Sequence, residues 1–441
     1  MKNVDNIEER IKDLIGLLRE DGSNVLGYVY NDDAKFIPGI TPVYYSGPYW
    51  DNKEIIAAVK ALLTGKWLSS GEKVKEFEDK FSEKFGGGYS VMVNSGSSAN
   101  LVMLAALKKY YGWADGAEVI VSCVGFPTTI APIVQNNLKP VFVDIELDTL
   151  NADYLEIYNS INANTVAILI SPVLGNPPDM GKLLNLHSIL DLELILDNCD
   201  SLGTTWDYTL LNQLVVASSC SFYPAHHLAI GEGGMISSKN ESIIKLARSI
   251  AWWGRDCECT GAQNLLSNGM CHKRFACWLD NYDGIIDHKY LFTNMGYNLK
   301  PLDFQGAMGL EQLKKFDEIH YRRVQNEHII TETFLKYLPE LKTPTVLSGA
   351  KPSWFGTPFI CPNKEYKNKL VAFLESKKIQ TRNYFAGNIL LHPGYKHLGN
   401  YRDYPNANKI LDTVFFIGCA PHYGENILGY IEDCVKEFYI N

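Results

Sequence analysis

The chain has 441 residues, 46% hydrophobic and 21% charged, with 41 Lys and Arg against 50 Asp and Glu and a formal net charge of −9. That length exceeds what one hydrophobic core usually serves, so two packed units of unequal size are expected, and the composition excludes a disordered or low-complexity chain. The acidic balance, with no Lys/Arg-dense patch interleaved with aromatics, argues against nucleic acid as a partner and makes any anion site a local feature.

In chain order, the first twenty residues, MKNVDNIEERIKDLIGLLRE, are charged throughout and carry Ile7, Ile11, Leu14 and Leu18 at helical spacing. The pattern predicts an amphipathic helix, not a signal peptide, inside an N-terminal arm over 1–45. No window approaches the length of uninterrupted apolar sequence that a membrane span needs, so no membrane partner and a cytoplasmic location are expected. Without a secretory signal, the ten cysteines read as reduced thiols or metal ligands, not as a disulfide framework.

From about residue 87, short apolar runs alternate with longer amphipathic ones: YSVMVNSGSSANLVMLAALKKYY, AEVIVSCVGFPTTIAPIVQNNLKPVFVDI, NTVAILISPVLG, LELILDNCDSLGTTW, LVVASSCSFYPAHH and GGMISSK. Repetition of strand, turn and helix predicts an α/β fold with a mostly parallel sheet, filling a large region over 46–300. Ligands of such sheets bind at the carboxyl ends of the strands, which places Ser95 to Ser98, Phe126, Asp197 and His226 near one crevice. A long helix from Asp303 to Tyr337 then opens a smaller α/β part over 301–441. Its strands lie in SWFGTPFIC, IQTRNYFAG and TVFFIGC, beside helices at about 364–378 and 424–438.

Each chemical signal has a bland reading beside the sharp one. The amides near Gly96, Ser97 and Ser98 open a helix and would face an anion, or the string is a bare N-cap. Phe126 in GFPTT stacks on a flat ring or belongs to the core. Asp197 ends an apolar strand where an unpaired carboxylate is costly, so it meets a pyridinium nitrogen or else a backbone or Arg partner. GEGG after the histidines brings backbone close to a ligand or simply turns a loop into a strand. Cys199, Cys257, Cys259 and Cys271 have the ligand count of a [2Fe-2S] cluster or a structural zinc, or they are unrelated thiols.

Taken in order, SGSSANL, GFPTT, LDNCDSLGT, SFYPAH with GEGG, and GYNLK resemble the DegT/DnrJ/EryC1/StrS sugar aminotransferase family of fold-type I pyridoxal-phosphate (PLP) enzymes, over roughly residues 45–441. The resemblance implies a mixed, mostly parallel seven-stranded sheet with a smaller C-terminal domain, and a homodimer. Asp197 is then expected on the pyridine nitrogen, Ser221 on the phosphate together with Gly96, Ser97 and Ser98, and Asn298 on the phosphate of the neighbouring subunit. The family's SFxxxK string ends in the lysine that holds the cofactor as an imine, and here that position is His226. Imidazole forms no stable imine, so the resemblance implies free pyridoxamine phosphate (PMP), with His226 as the base at the cofactor C4′ carbon and Asp200 and Tyr223 orienting the base or the leaving hydroxyl. His227 is expected to be supporting structure.

The expected outcome is 3-dehydration of a nucleotide-linked 4-keto-6-deoxyhexose. The strings WGRDC-x-C, C-x-KRF, DHKY, PSWFG and FAGN are similar to the iron–sulfur subgroup that acts on CDP-4-keto-6-deoxy-D-glucose. This implies a [2Fe-2S] cluster on Cys199, Cys257, Cys259 and Cys271, fed by an NAD(P)H-dependent flavin/iron–sulfur reductase. The Cys259 to Cys271 stretch is longer than that pattern, which leaves Cys277 as a rival fourth ligand. Trp354, Phe355 and Arg382 are expected on the nucleotide-sugar side. Alternatives are a GDP-4-keto-6-deoxymannose 3-dehydratase-like enzyme, a sugar aminotransferase, a zinc-stabilised dehydratase, and a non-enzymatic electron-transfer or scaffold protein.

Overall fold

The structure is a computed structural model that describes residues 2–20, 35–257, 259, 271, 274–275 and 277–440, with the side chains of 2–6, 18–20, 277 and 278 left aside. Helices α1 (Lys2–Glu20), α2 (Asn52–Thr64) and α3 (Glu72–Phe85) come first. They precede β1 (Tyr89–Val93), α4 (Gly96–Tyr111), β2 (Glu118–Ser122), α5 (Pro127–Gln135), β3 (Lys139–Val143), α6 (Tyr154–Ser160), β4 (Thr165–Ile170), α7 (Met180–Leu190) and β5 (Glu193–Asp197). Next come β6 (Thr205–Trp206), β7 (Thr209–Leu210), β8 (Ala217–Ser221), β9 (Gly234–Ser238), α8 (Glu241–Ala251) and a hairpin of β10 (Cys277–Leu279) and β11 (Tyr282–Ile286). The last third holds α9 (Asp303–Tyr337), β12 (Ala350–Lys351), β13 (Gly356–Ile360), α10 (Lys364–Ser376), β14 (Thr381–Asn383), α11 (Pro405–Thr413), β15 (Val414–Gly418) and α12 (Glu425–Ile440).

Seven strands form one sheet in the order β1-β9-β8-β5-β4-β2-β3, parallel throughout except for β9, which runs antiparallel to both neighbours. Strands β4 (TVAILI) and β5 (ELILD) are mostly apolar runs because both faces are covered, whereas the neighbouring β8 is the small-residue run ASSCS. Side chains alternate between the two cores, so Ile195 packs on one face with α4 and α8, while Leu194 and Leu196 pack on the other with α6 and α7. The mostly parallel α/β sheet predicted from the alternating runs is present.

A smaller antiparallel sheet, β13-β15-β14, packs Phe359, Phe415 and Ile417 against α10 and α12. Helix α9 joins the two regions. Its Met308, Leu313 and Phe316 sit in a core with the α3 phenylalanines, and one end later Ile330 and Phe334 sit in the core of the small sheet. At 35 residues it is about 52 Å long.

Helix α1 departs from its expected stripe. Ile11 and Ile15 are buried against Ile56 of α2, whereas Leu14 is 56% exposed, and the side chain of Leu18 lies outside the described residues. One neighbouring helix gives α1 only one narrow face to bury, and the i, i+4 pair fills it. No described helix is long and apolar enough to cross a membrane.

Candidate active site

Where β5 and β8 end, a cavity of about 330 Å³ opens, lined by Ser95, Gly96 and Ser97, by Phe126, by Asp197, Cys199 and Asp200, and by Ser221, Tyr223 and His226. The topology accounts for this convergence, because parallel strands deliver their following loops to one sheet edge.

The turn from β1 into α4 builds its floor. Ser95 caps the helix, its Oγ accepting from Ser98 N at 3.1 Å, and Ser97 Oγ donates to Thr128 Oγ1 at 2.9 Å. The first-turn amides of a helix lack intrahelical partners and favour an anion. A Cβ on Gly96 would stand 2.5 Å from Ser221 Cβ, and one on Gly234 would stand 2.2 Å from Ser95 O. Both glycines, one from SGSSAN and one from GEGG, are therefore required by close approach. They leave a cradle that a phosphate can enter and a side chain cannot.

Asp197 is 5% exposed. Its Oδ2 accepts from Asn100 Nδ2 at 2.8 Å and Thr129 Oγ1 at 2.7 Å, and its Oδ1 from Cys199 N at 3.2 Å and Ser219 Oγ at 3.4 Å. Four neutral donors meet the cost of burying the carboxylate without an arginine. It still lines the cavity, where it can hold a proton on a ring nitrogen.

His226 and Asp200 are brought together, His226 Nδ1 lying 3.5 Å from Asp200 Oδ1. Burial, and then the Arg323 cation, pull the imidazole down to about 4; burial, and then Asp197, push the Asp200 carboxyl up to about 7. The distance would suit an ion pair, but the desolvation of both groups makes the neutral pair the better description in mildly acidic solution. Phe355 packs on the imidazole at a centroid distance of 5.1 Å. His227 points elsewhere, fully buried with Nε2 3.2 Å from Ser353 O, as supporting structure.

Phe126 is not a core residue. It precedes Pro127 at the start of α5, is 53% exposed, and stands edge-on to Phe385 at the cavity rim. Tyr223 is exposed on the same rim, its backbone N donating to Ser221 Oγ. Arg382 of β14 stacks its guanidinium 4.3 Å from the ring centroid of Tyr45, which lines the cavity. Phe355 lines the wall, whereas Trp354 is almost fully buried and its carbonyl accepts from the Cys419 thiol. Asn298 is exposed, its Oδ1 accepting from Lys300 Nζ at 2.8 Å.

Three of the four candidate cysteines are neighbours. Cys257 and Cys271 flank Cys259, whose thiol is pushed up to about 11 by burial and then by these two neighbours. Cys199 instead lies in the cofactor cavity against Gly96, with Asp197 beside it. Among the described residues no group of three or more His, Cys, Asp or Glu side chains is arranged to hold a metal ion. The rival ligand Cys277 has its side chain outside the described residues.

Four contributors were missed in the sequence. Asn100 sits one turn below Gly96 in SGSSAN, and Thr128 and Thr129 follow Phe126 in GFPTT, so helical spacing from the quoted strings would have found them. Arg323, mid-helix in α9, carries no such signal.

A glycine cradle at a helix start, an exposed aromatic rim and a buried carboxylate suit a flat, phosphate-bearing cofactor, and the fold and cavity define a fold-type I pyridoxal-phosphate enzyme. The chain belongs to the DegT/DnrJ/EryC1/StrS aminotransferase family, whose profile matches residues 50–436. It is 37% identical over 417 residues to the dTDP-4-dehydro-2,6-dideoxy-D-glucose 3-dehydratase of Saccharopolyspora spinosa, covering 92% of this chain and 88% of that one. It is 35% identical over 435 residues to the lipopolysaccharide biosynthesis protein RfbH of Salmonella typhimurium, covering 96% and 98%. A solved structure, E. coli GDP-4-keto-6-deoxy-D-mannose-3-dehydratase with bound hydrated PLP, superposes with a TM-score of 0.77 at 30% identity over 89% of this chain and 99% of that one.

Proposed function

We propose that this chain is a PMP-dependent 3-dehydratase of a nucleotide-linked 4-keto-6-deoxyhexose, with CDP-4-keto-6-deoxy-D-glucose as substrate. The observation that carries the proposal is His226 at the loop position where the aminotransferases of the family have lysine, in a cavity whose described lining includes no lysine. Nucleotide-sugar 3-dehydratases among the relatives support it.

When bound, PMP supplies an amine that condenses with the 4-keto group and a ring that accepts an electron pair. The first amides of α4, with Ser97 and Ser221, hold its phosphate, Asp197 holds a proton on the ring nitrogen, and Phe126 covers the ring face. His226 moves the proton. With Nδ1 turned to Asp200, the ring's Nε2 remains to accept it, and a neutral imidazole is the form that can. Asp200, 3.5 Å from Nδ1, and Tyr223 on the cavity rim are placed to orient the base or the leaving hydroxyl. Arg382, stacked on Tyr45, offers its planar fork to a nucleotide phosphate. The exposed Asn298 reaches the phosphate of a second subunit in a homodimer.

The finer part of the proposal is an iron–sulfur relay from a separate reductase. The neighbouring thiols of Cys257, Cys259 and Cys271 support it, and the lack of a metal-holding arrangement among the described residues counts against it. Iron and acid-labile sulfide in the anaerobically purified protein are expected; zinc, or no metal, removes the relay and leaves the dehydratase standing.

Anaerobic incubation with PMP and CDP-, GDP- or dTDP-linked 4-keto-6-deoxy sugars tests the main reading. Loss of water from the CDP sugar by mass spectrometry is the expected result, and no dehydration with any of the three overturns it. In His226→Lys, borohydride reduction is expected to trap PLP covalently on residue 226 while dehydration is lost.

A further inference from the structure

Arg323 is 1% exposed at the middle of α9, and among the described residues it is the largest of the fully buried side chains. Its terminal nitrogens donate to neutral acceptors. Nη1 meets Phe355 O at 3.0 Å; Nη2 meets Ala225 O at 3.0 Å, His226 O at 3.3 Å and Ser46 Oγ at 3.3 Å. Burying a cation without a close counter-ion is expensive, so packing alone does not explain a guanidinium here. Its bonds converge on the backbone that carries the His226 imidazole and on the Phe355 segment packed against that ring.

A second grip lies one turn earlier on the same helix. His320 Nδ1 is 2.8 Å from Ser353 Oγ, and Ser353 O is 3.2 Å from His227 Nε2. Ser46 Oγ donates to Ala225 O at 2.7 Å, doubling the hold on that carbonyl. The turn carrying the base, the 353–355 segment and α9 are thus joined through one buried guanidinium. The loop's own turn hydrogen bonds, such as His226 N to Tyr223 O, reach neither α9 nor Phe355.

We propose that Arg323 is a positioning residue that clamps the 225–227 turn and the Phe355 segment into one rigid wall, fixing the His226 imidazole in the cavity. The inference rests on His226 being the proton acceptor. Its test uses the full chain with Arg323→Met, Arg323→Lys and Ser46→Ala. In Arg323→Met, kcat for dehydration is expected to fall about 100-fold, the effect of roughly 1 Å of misplacement. KM and PMP affinity stay near wild type. Arg323→Lys, which keeps the charge and three donors, recovers roughly tenfold of that loss, and Ser46→Ala shows a smaller loss of the same kind.

Hydrogen–deuterium exchange in the apo protein gives a readout independent of turnover. Exchange rises in peptides spanning 222–230 and stays unchanged in β2 and β4. Parallel losses of kcat, KM and PMP affinity, exchange rising across the whole sheet, or undiminished kcat in Arg323→Met would overturn the clamp. If Arg323→Met does not fold, wild-type kcat in both other variants overturns it. If wild type dehydrates none of the sugars, the functional reading fails separately and the exchange data alone judge the clamp.

Discussion

Replacing Gly96 by alanine probes the phosphate cradle where it is tightest. The new Cβ would stand 2.5 Å from Ser221 Cβ, 3.0 Å from Ser221 Oγ and 3.1 Å from Cys199 Sγ. Ser221 cannot step aside cheaply, since it ends β8 in register with Gly234 of β9. Overpacking of this kind costs about 1–3 kcal/mol, and the helix propensity of alanine returns at most about 1 kcal/mol, so the apo protein loses roughly 0–3 kcal/mol. The displaced residues line the cavity, and the cofactor suffers more directly. A helix N-terminus contributes about 1–2 kcal/mol to a partly buried anion, so misaligning the first amides of α4 weakens PLP and PMP binding roughly 5- to 30-fold. Fluorescence titration of the apo protein with each cofactor measures this. Gly429→Ala is the control: its Cβ meets nothing within 4 Å, and it lies on the exposed side of α12. That change is expected to stabilise by about 0.8–1 kcal/mol and leave cofactor affinity alone. A Gly96→Ala protein that binds both cofactors as wild type does would refute the cradle.

Asp197→Asn places an amide NH2 against donors that now point at carboxylate oxygens, and one buried donor left unpaired costs about 1–3 kcal/mol. Denaturation of the apo protein should show that loss, together with weaker PMP binding; unchanged stability would mean the four hydrogen bonds contribute little. Arg248 and Glu78 form a buried pair with Nη2 to Oε2 at 2.8 Å. Arg248→Met is expected to destabilise by about 3–5 kcal/mol because it strands the carboxylate, and a loss under about 1 kcal/mol would contradict that. Burial pushes the Glu327 carboxyl up to about 7. A carboxyl raised on folding binds its proton more tightly in the native state, so its contribution is best below the unfolded value near 4.5 and declines as pH rises to about 7, by roughly 2 kcal/mol after allowance for partial exposure. Glu327→Gln removes that decline, so the variant should gain on wild type between pH 5 and pH 8 in urea midpoints. A constant gap across that range would show that Glu327 is not perturbed.

What could be read from sequence was local. Apolar runs such as VAILI and LILD announced strands buried on both faces; Ser95 and Gly96 announced a capped helix start; Asp303 to Tyr337 announced the long helix; and His226 stood in a recognisable loop. Each depends on residues within a turn or a strand of one another, where periodicity and capping act. The tertiary structure decided which side chains meet. Donors from α4, α5 and β8 satisfy Asp197, Phe126 is left at a rim and not in a core, Leu14 faces solvent, and Cys199 lines the cavity. Arg323 is the clearest case. Nothing in its helical neighbourhood separates it from a solvated surface arginine, and only the packing of α9 between the two sheets makes it the fully buried partner of three backbone carbonyls. Convergence of that kind comes from loop paths and helix docking across hundreds of residues, which short-range patterns do not encode.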